Sequence, residues 1–422
     1  MCPNKLLESH PIEKIMGIQY YSSLTEGIGG KLRKYPEDFI VEEILPDGRI
    51  IPIEDENFKL GNDVAGLFTE FILIKKDIES HRALLDIAKV LKKPVEDIKI
   101  AGTKDKSAFT SQKATIWRVK PEDLLKIQLD GITIRSPRTT IYQTYLGNLL
   151  GNHFRIAIRE MNFDKAIIED KVNCILNEIK QFGGFGNYFG HQRFGSRRPI
   201  SHEVGKKILQ GNINDAIWTY LTKISEDEHE LTIKARKILL ESNNYTKALE
   251  FFSKEMIFER IILRHLIKRP NDYLGAFKLL PKNLQKLFIH SYQSYIWNST
   301  LSKRIELYGN LLPQGEDIIE ENEIVVPIIG SKTDFQDNIM YEFIRELLEK
   351  DNIAEKDFDL PKINWLKFAG SNRKMVIFPE NFSYSSIKSK DEDIINLQFS
   401  LGSGSYATII LREFMKVSPL LY

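Results

Sequence analysis

Hydrophobic and polar residues follow two different spacings along the first half of the chain, one typical of strands and one typical of helices. Residues 67–75 are rich in apolar and β-branched side chains, which predicts a strand. After them, apolar side chains recur at helical spacing from Leu84 to Leu91, so we predict a helix capped by Ser80. Shorter strand patterns lie at residues 98–100, 113–119 and 152–159. This succession predicts a mixed sheet with helices packed on it.

The pattern changes to one helix after another from about residue 201 to residue 304. The predicted helices cover residues 203–209, 215–223, 231–240, 246–259 and 284–304. Strand patterns return at residues 374–378 and 394–400. We therefore predict an α+β protein in which a domain with a mixed sheet is interrupted by a largely helical insertion. The C-terminal strands are expected to complete the sheet of the first domain.

Length and composition are those of a folded, soluble protein. A chain of 422 residues, of which 42% are hydrophobic and 28% charged, is expected to form two or three domains. Its two cysteines, Cys2 and Cys174, are far apart and form neither a disulfide framework nor a thiolate metal site. No apolar run approaches the roughly 20 residues that span a bilayer. We expect a cytoplasmic protein without a membrane segment.

Charges of the two signs are separated along the sequence. The totals nearly cancel, with 59 Lys and Arg against 58 Asp and Glu. Residues 99–159, however, hold 11 basic and four acidic residues, and residues 187–207 hold five basic residues and one acid. The compensating acids concentrate at residues 37–56 and 316–323. This separation is consistent with a polyanion-binding face, and equally with ordinary solvated surface.

A glycine-containing loop after residues 98–100 carries one carboxylate among several cations. Asp105 is the only acidic residue between Lys99 and Lys120, and two lysines flank it. We expect these cations to keep Asp105 ionised. An aspartate in such a loop is often a turn former or a helix cap. A lone carboxylate on a phosphate-binding surface repels the ligand, so its presence there indicates a function of its own. Asp105 is therefore a candidate catalytic residue.

Glycines alternate with aromatic, amide and guanidinium side chains at residues 183–199. Aromatic faces can stack on an extruded base, amides can read its edge, and guanidinium groups can bind phosphates. An aromatic core beside a basic surface turn is the alternative for Phe182, Phe185 and Tyr188. The density of glycines favours the functional interpretation. For a third segment, residues 290–298, the spacing is that of a core helix.

Read together, these segments closely resemble the TruD family of pseudouridine synthases. The resemblance rests on Ala101-Gly102 with Lys104-Asp105, on Asn187-Tyr188-Phe189-Gly190 with Gln192-Arg193-Phe194-Gly195, and on Gln293-Ser294 with Asn298. Residues 36–43, 151–154 and 404–413 extend it, so that the matches run in order from about residue 30 to residue 416. The ordered set is more specific than any single motif.

The resemblance implies a pseudouridine synthase catalytic domain interrupted by the family's inserted TRUD domain. We place the catalytic domain at residues 1–185 and 369–422 and the insertion at residues 186–368. The resemblance also implies that Asp105 is catalytic and that uridine 13 of tRNA is the target. It further implies that substrate or RNA contacts are made by a set of six residues: Phe39, Lys104, Asn187, Phe189, Gln192 and Arg193.

Isomerising uridine to pseudouridine needs a carboxylate but no external redox partner, so we expect neither a cofactor nor a metal. Asp105 is able to act as nucleophile or as base, and the sequence leaves that choice open. Residues 402–407 fit a dinucleotide fingerprint, but too little chain follows to form the rest of that unit. A noncatalytic RNA-binding or RNA-folding protein on the same scaffold is the alternative function. The sequence does not indicate an oligomeric state.

Overall fold

The computed structural model describes residues 6–195, 197–225, 228–388 and 393–422, which form two compact units. The sheet unit consists of Glu26–Cys174, Phe378–Val417 and Leu421–Tyr422. The helical unit consists of the described residues up to Thr25, Ile175–Ile377 and Ser418–Leu420. The chain of the sheet unit is thus interrupted by the main segment of the helical unit. Within the described ranges, no helix combines the length and hydropathy needed to cross a membrane.

The strands are numbered along the chain. They are β1 (Gly29–Lys31), β2 (Phe39–Ile44), β3 (Phe68–Lys76), β4 (Ile98–Ile100), β5 (Phe109–Trp117), β6 (Ile132–Thr140), β7 (Gly151–Met161), β8 (Phe185–Gly186), β9 (Ile318–Glu320), β10 (Glu323–Ile328), β11 (Ser371–Lys374), β12 (Val376–Ile377), β13 (Glu380–Lys388) and β14 (Asp393–Gly402).

The α-helices are numbered in the same way. They are α1 (Pro11–Ile15), α2 (Ser80–Leu91), α3 (Pro121–Leu125), α4 (Lys165–Phe182), α5 (Ser201–Leu209), α6 (Ile213–Thr222), α7 (Glu230–Ser242), α8 (Tyr245–Phe251), α9 (Ile257–Lys268), α10 (Tyr273–Lys278), α11 (Lys282–Tyr308), α12 (Ile339–Lys350) and α13 (Ala407–Met415).

The sheet unit is built on a mixed sheet in the order β13-β14-β7-β2-β5-β3-β6, with β1 paired to β7 and β4 paired to β5. Strands β2 and β5 run parallel, with Ile40 opposite Phe109, so both strands begin at the same edge of the sheet. Strand β3 is buried on both faces, since Phe71 and Leu73 pack with Ile87 of α2 on one face. Ile72 and Ile74 pack in a second cluster on the other. That double burial explains why residues 67–75 are apolar almost throughout.

The helical unit has one large core formed by helices α5 to α12. Its centre is α11, in which Tyr292, Ile296, Trp297 and Leu301 are fully buried. Two small sheets, β11-β10-β9 and β12-β8, belong to this unit. The third segment singled out in the sequence, residues 290–298, therefore lies in a core helix as its spacing predicts.

The predicted fold class is confirmed, and two predicted elements are wrong in detail. Residues 246–259 form two helices, α8 and α9, because Phe252 turns into the core and leaves the helical conformation. Arg260 donates to the carbonyl oxygens of Leu249 and Phe252, which satisfies the end of α8. Residues 374–378 do not extend the large sheet, because β11 and β12 pair inside the helical unit. Strands β13 and β14 complete the large sheet instead.

Candidate active site

The loop that carries Asp105 connects β4 to β5 and is fixed by side chains from α2, β3 and β5. The Ser80 hydroxyl at the start of α2 accepts from the backbone N–H of Lys104 and donates to its carbonyl, at 3.0 Å each. Glu79, and not Ser80, caps the helix by accepting from the N–H of Arg82. Gln112 of β5 donates to the carbonyl of Gly102. Ser80 thus ties the loop to a helix, which makes the position of Asp105 well defined.

The carboxylate of Asp105 is held by Arg33, a residue that the sequence reading did not single out. Nη2 of Arg33 lies 2.9 Å from Oδ2 of Asp105, and the arginine side chain is 13% exposed while that of Asp105 is 41% exposed. Among the described residues, the other carboxylate oxygen of Asp105 accepts no hydrogen bond. One oxygen is therefore anchored, and the other is left for a ligand. Burial lowers the pKa of Arg33, an effect that Asp105 opposes.

The ring of Phe39 packs against the guanidinium of Arg33. The Arg33 guanidinium lies 3.9 Å from the centroid of the Phe39 ring, and the ring packs edge-on against Phe154 at 6.3 Å. Phe39 is 1% exposed. Its observed role is to orient the guanidinium that binds Asp105, and its predicted contact with RNA stays a prediction.

Lys104, one of the two lysines that flank Asp105, is placed differently from what the sequence suggested. The ammonium of Lys104 points into the unit and pairs with Oε2 of Glu43 at 2.9 Å, with both side chains almost completely buried. Lys104 therefore does not hold the carboxylate of Asp105. Lys75, at the end of β3, donates instead to the backbone carbonyl of Asp105. Burial lowers the pKa of Lys75 to about 8, against the opposing effect of Asp105.

Acids from residues 37–56 pair with three of the 11 basic residues at residues 99–159. Arg159 pairs with Asp38, Lys104 with Glu43, and Arg155 with Glu42 and Glu54. Arg138 pairs in addition with Glu70. The whole stretch therefore does not form a single unpaired basic face, and binding of a polyanion by part of it stays a prediction. The two charge blocks are separate in sequence, but neighbouring strands of the sheet bring them together in space.

In the helical unit, Asn187 is held through both its side chain and its backbone. Its Nδ2 donates to the carbonyl of Lys374 at 2.9 Å, and its N–H donates to the carbonyl of Met375 at 2.8 Å. Arg373 donates to Oδ1 of Asn187 at 2.7 Å and to its carbonyl at 2.9 Å. The amide is 4% exposed. These bonds fix its orientation, so that it can act as one rigid wall of a site.

Phe189 lies beside Asn187 and is covered by arginines. Asn298 of α11 accepts from the N–H of Phe189 at 2.9 Å and donates to its carbonyl at 3.1 Å. The guanidinium of Arg373 lies 4.2 Å from the centroid of the ring, and that of Arg193 lies 5.4 Å from it. The edge of Trp297 closes another side. Because Phe189 is only 5% exposed, a base that stacks on this ring has to displace one guanidinium.

Next to Phe189 the helical unit has a cavity of about 220 Å³. Arg193, Gln293, Ser294 and Lys367 are among the residues that line it. Gln192, which precedes Arg193 in the same short turn, is half-buried. The cavity is smaller than the roughly 300–1,000 Å³ of sites for drug-sized ligands. Its size is suited to one small polar group, and the cationic side chains that line it favour a group that is anionic.

Each part of the predicted site is thus organised within its own unit. Asp105, Phe39 and Lys104 belong to the sheet unit, and Asn187, Phe189, Gln192 and Arg193 belong to the helical unit. A pocket that the two groups share stays a prediction. In the residues that the structure describes, no cluster of three or more His, Cys, Asp or Glu side chains is arranged to hold a metal ion. The protein is therefore of the α+β class with a candidate active site centred on one carboxylate.

Comparisons with known proteins identify the family. The family model for tRNA pseudouridine synthase D (TruD) matches residues 15–324 and 318–414. A relative from Methanococcoides burtonii, named "Probable tRNA pseudouridine synthase D", is 32% identical over 97% of this chain and 98% of its own. One of the same name from Methanosarcina barkeri is 34% identical, with the same coverage. A crystal structure of a TruD protein from Methanosarcina mazei covers 99% of this chain and 100% of its own, with a TM-score of 0.78 and 31% identity. The chain belongs to the TruD family, as the sequence resemblance implied.

Proposed function

We propose that this protein is a tRNA pseudouridine synthase that isomerises uridine 13 of tRNA, with Asp105 as the catalytic residue. Membership of the TruD family supports the activity, and the names of its relatives support tRNA as the substrate. The structural observation that carries the proposal is the carboxylate of Asp105, with one oxygen anchored by Arg33 and the other open to a ligand.

The reaction requires little beyond this carboxylate. The bond from N1 of the uracil to C1′ of the ribose breaks, and a bond from C5 to C1′ forms. The hydrogen on C5 leaves as a proton and N1 gains one, so atoms and electrons balance without an oxidant. Asp105 attacks C1′ as a nucleophile or removes a proton from the ribose as a base. In both routes an anchored and ionised carboxylate is the reacting group.

The target nucleotide has to leave the RNA stack to reach Asp105, at a cost of a few kcal/mol. We propose that Phe189 stacks on the flipped uracil after one of its covering guanidinium groups has moved to a phosphate. Asn187 would then form the wall beside the base, and Gln192 and Arg193 would contact the flanking RNA. In the sheet unit, the proposed roles of Phe39 and Lys104 are indirect: Phe39 orients Arg33, and the buried pair of Lys104 with Glu43 holds the loop of Asp105.

We also propose that the catalytic domain comprises residues 1–185 and 369–422 and that residues 186–368 form the inserted domain. The proposed setting is the cytoplasm, where tRNA is modified.

Mapping pseudouridine in RNA tests this function. RNA from cells that contain the protein is compared with RNA from cells that lack it, and from cells that carry Asp105→Asn. We expect pseudouridine at position 13 of tRNA only in the first sample. Modification at position 13 that persists in all three samples would contradict the proposal. Loss of the protein that changes RNA folding, but no pseudouridine, would favour the noncatalytic RNA-binding alternative.

A further inference from the structure

The sheet unit has an open cleft of about 480 Å³ at the far end of β5. It lies between the end of α2 and the segment that leads into α3. Four basic side chains line it, with one acid: Lys93, Arg118, Lys120 and Lys126, with Asp123. None of the residues to which the resemblance gives a role is among them. The excess of positive charge indicates an anionic ligand.

Most of the cations that line this cleft keep their charge unpaired. Lys126 bonds Oδ1 of Asp123 at 2.9 Å, and this bond, ahead of the weaker influence of Lys120, lowers the pKa of Asp123. For Lys93, Arg118 and Lys120, no ion pair occurs within the described ranges. The same holds for Lys99, Lys106, Lys113 and Arg135, whereas Lys104, Arg138, Arg155 and Arg159 have carboxylate partners. The positive charge of Lys93, Arg118 and Lys120 is therefore not neutralised by ion pairs within the described part of the protein.

An exposed aromatic side chain stands beside these cations. The Arg118 guanidinium lies 4.5 Å from the centroid of the Trp117 ring, and Trp117 is 37% exposed. Arg118 has a φ of +48°, a left-handed conformation that costs a residue with a side chain of the order of 1 kcal/mol. Its N–H donates to the carbonyl of Leu67 at 2.8 Å, which holds the turn. An aromatic face next to guanidinium and ammonium groups is a combination that nucleic-acid-binding surfaces use.

The cleft is remote from Asp105 within the same unit. Lys75, which bonds the carbonyl of Asp105, is paired with Thr110 near the start of β5, whereas Trp117 ends that strand. Seven residue steps at about 3.4 Å each separate Thr110 from Trp117, so the two sites are about 24 Å apart along the strand. A single nucleotide cannot reach both. An extended polyanion can.

We propose that this cleft binds the phosphodiester backbone of the RNA substrate, about 24 Å along β5 from the nucleotide that reacts at Asp105. The inference rests on the proposed function for the identity of the RNA. Contacts of this kind fix the orientation of the RNA and carry no sequence information. The cleft would thus select a large folded RNA over a short one that contains the same target uridine.

Binding measurements on two RNAs test the proposal. The test variant combines Lys93→Gln, Arg118→Gln and Lys120→Gln. The control variant removes three exposed lysines of the helical unit, with Lys237→Gln, Lys247→Gln and Lys254→Gln. Each is assayed with intact tRNA and with a stem-loop around the target uridine that is too short to reach the cleft. Thermal unfolding checks that both variants are folded, and Lys120→Gln alone serves if the triple variant is not.

For the test variant we expect about tenfold weaker binding of intact tRNA at moderate salt, and a slope of log K against log salt that is shallower by about two to three. Its affinity for the stem-loop, and its turnover of it, should match those of the unchanged protein. An equal loss with the stem-loop, an equal loss in the control variant, or no loss with tRNA would overturn the proposal. Because binding is measured separately from pseudouridine formation, failure of the proposed activity would be seen independently.

Discussion

Replacing Arg33 by methionine tests how the carboxylate of Asp105 is held. The change keeps an unbranched side chain over Phe39 but removes the guanidinium that lies 2.9 Å from Oδ2 of Asp105 and 3.9 Å from the Phe39 ring. We expect Asp105 to lose its fixed orientation, because the structure describes no other side chain that bonds its carboxylate. The rate of the chemical step should fall while the affinity for RNA changes little.

The size of the effect follows from the contacts that are lost. A hydrogen bond between charged groups contributes about 1.5–3 kcal/mol, and the lower end applies because Asp105 is 41% exposed and screened by solvent. The cation–π contact with Phe39 contributes about 0.5–1 kcal/mol. If most of this energy positions the carboxylate in the transition state, the rate falls about tenfold to fiftyfold, since about 1.4 kcal/mol corresponds to a factor of ten.

Single-turnover release of the C5 hydrogen from labelled RNA measures this rate directly. Arg49→Met is the matched control, because Arg49 also pairs with an aspartate, Asp47, and also faces a ring, that of Phe58 at 5.6 Å. The control should retain the full rate. The reasoning is refuted if Arg33→Met reacts as fast as the unchanged protein, or if Arg49→Met loses as much activity.

Three further predictions follow from the structure. Asn298→Ala leaves the backbone of Phe189 and the carbonyl of Met16 without their buried partner. The free energy of unfolding should therefore fall by about 2–4 kcal/mol. An unchanged denaturant midpoint would contradict this. Burial lowers the pKa of Lys75 in the folded protein from 10.5 to about 8, so the unfolded chain binds more protons between these pH values. The folded state should therefore gain stability over that range relative to Lys75→Met, by up to about 3 kcal/mol, and parallel stability curves for the two proteins would show that Lys75 does not titrate in this way. Activity on prefolded tRNA should persist in excess chelator without added nucleotide, and a strict requirement for added zinc would count against the proposed chemistry.

Much of the fold was predictable because its elements repeat a simple period. Strand β7 and helices α5 to α7 have the alternation or the helical spacing that their burial requires. The break between α8 and α9 was not predictable, because it depends on Phe252 turning into a core that distant helices form. Strands β11 and β12 were assigned to the wrong sheet for a similar reason, since two-residue and four-residue strands take their partner from tertiary structure.

For the candidate site, the sequence singled out Asp105 as the candidate reacting group but did not show its surroundings. Asp105 is recognisable because it is alone among cations in a short loop. Arg33, which binds it, is 72 residues away and lies in no motif that marks it. Lys104 was expected to flank the carboxylate of Asp105, but its ammonium pairs with Glu43 instead. Adjacency in a loop does not decide which way a side chain points. Likewise, no local signal shows that Arg373 covers the ring of Phe189.

The central claim is that Asp105 performs the isomerisation, and one measurement tests it most directly. Purified protein and Asp105→Asn are compared by single-turnover release of the C5 hydrogen from prefolded tRNA, with RNA affinity measured in parallel. We predict at least a roughly thousandfold loss of rate. RNA affinity should be equal or higher, because the substitution removes the reacting group and a negative charge together. Substantial residual turnover by Asp105→Asn would contradict the account.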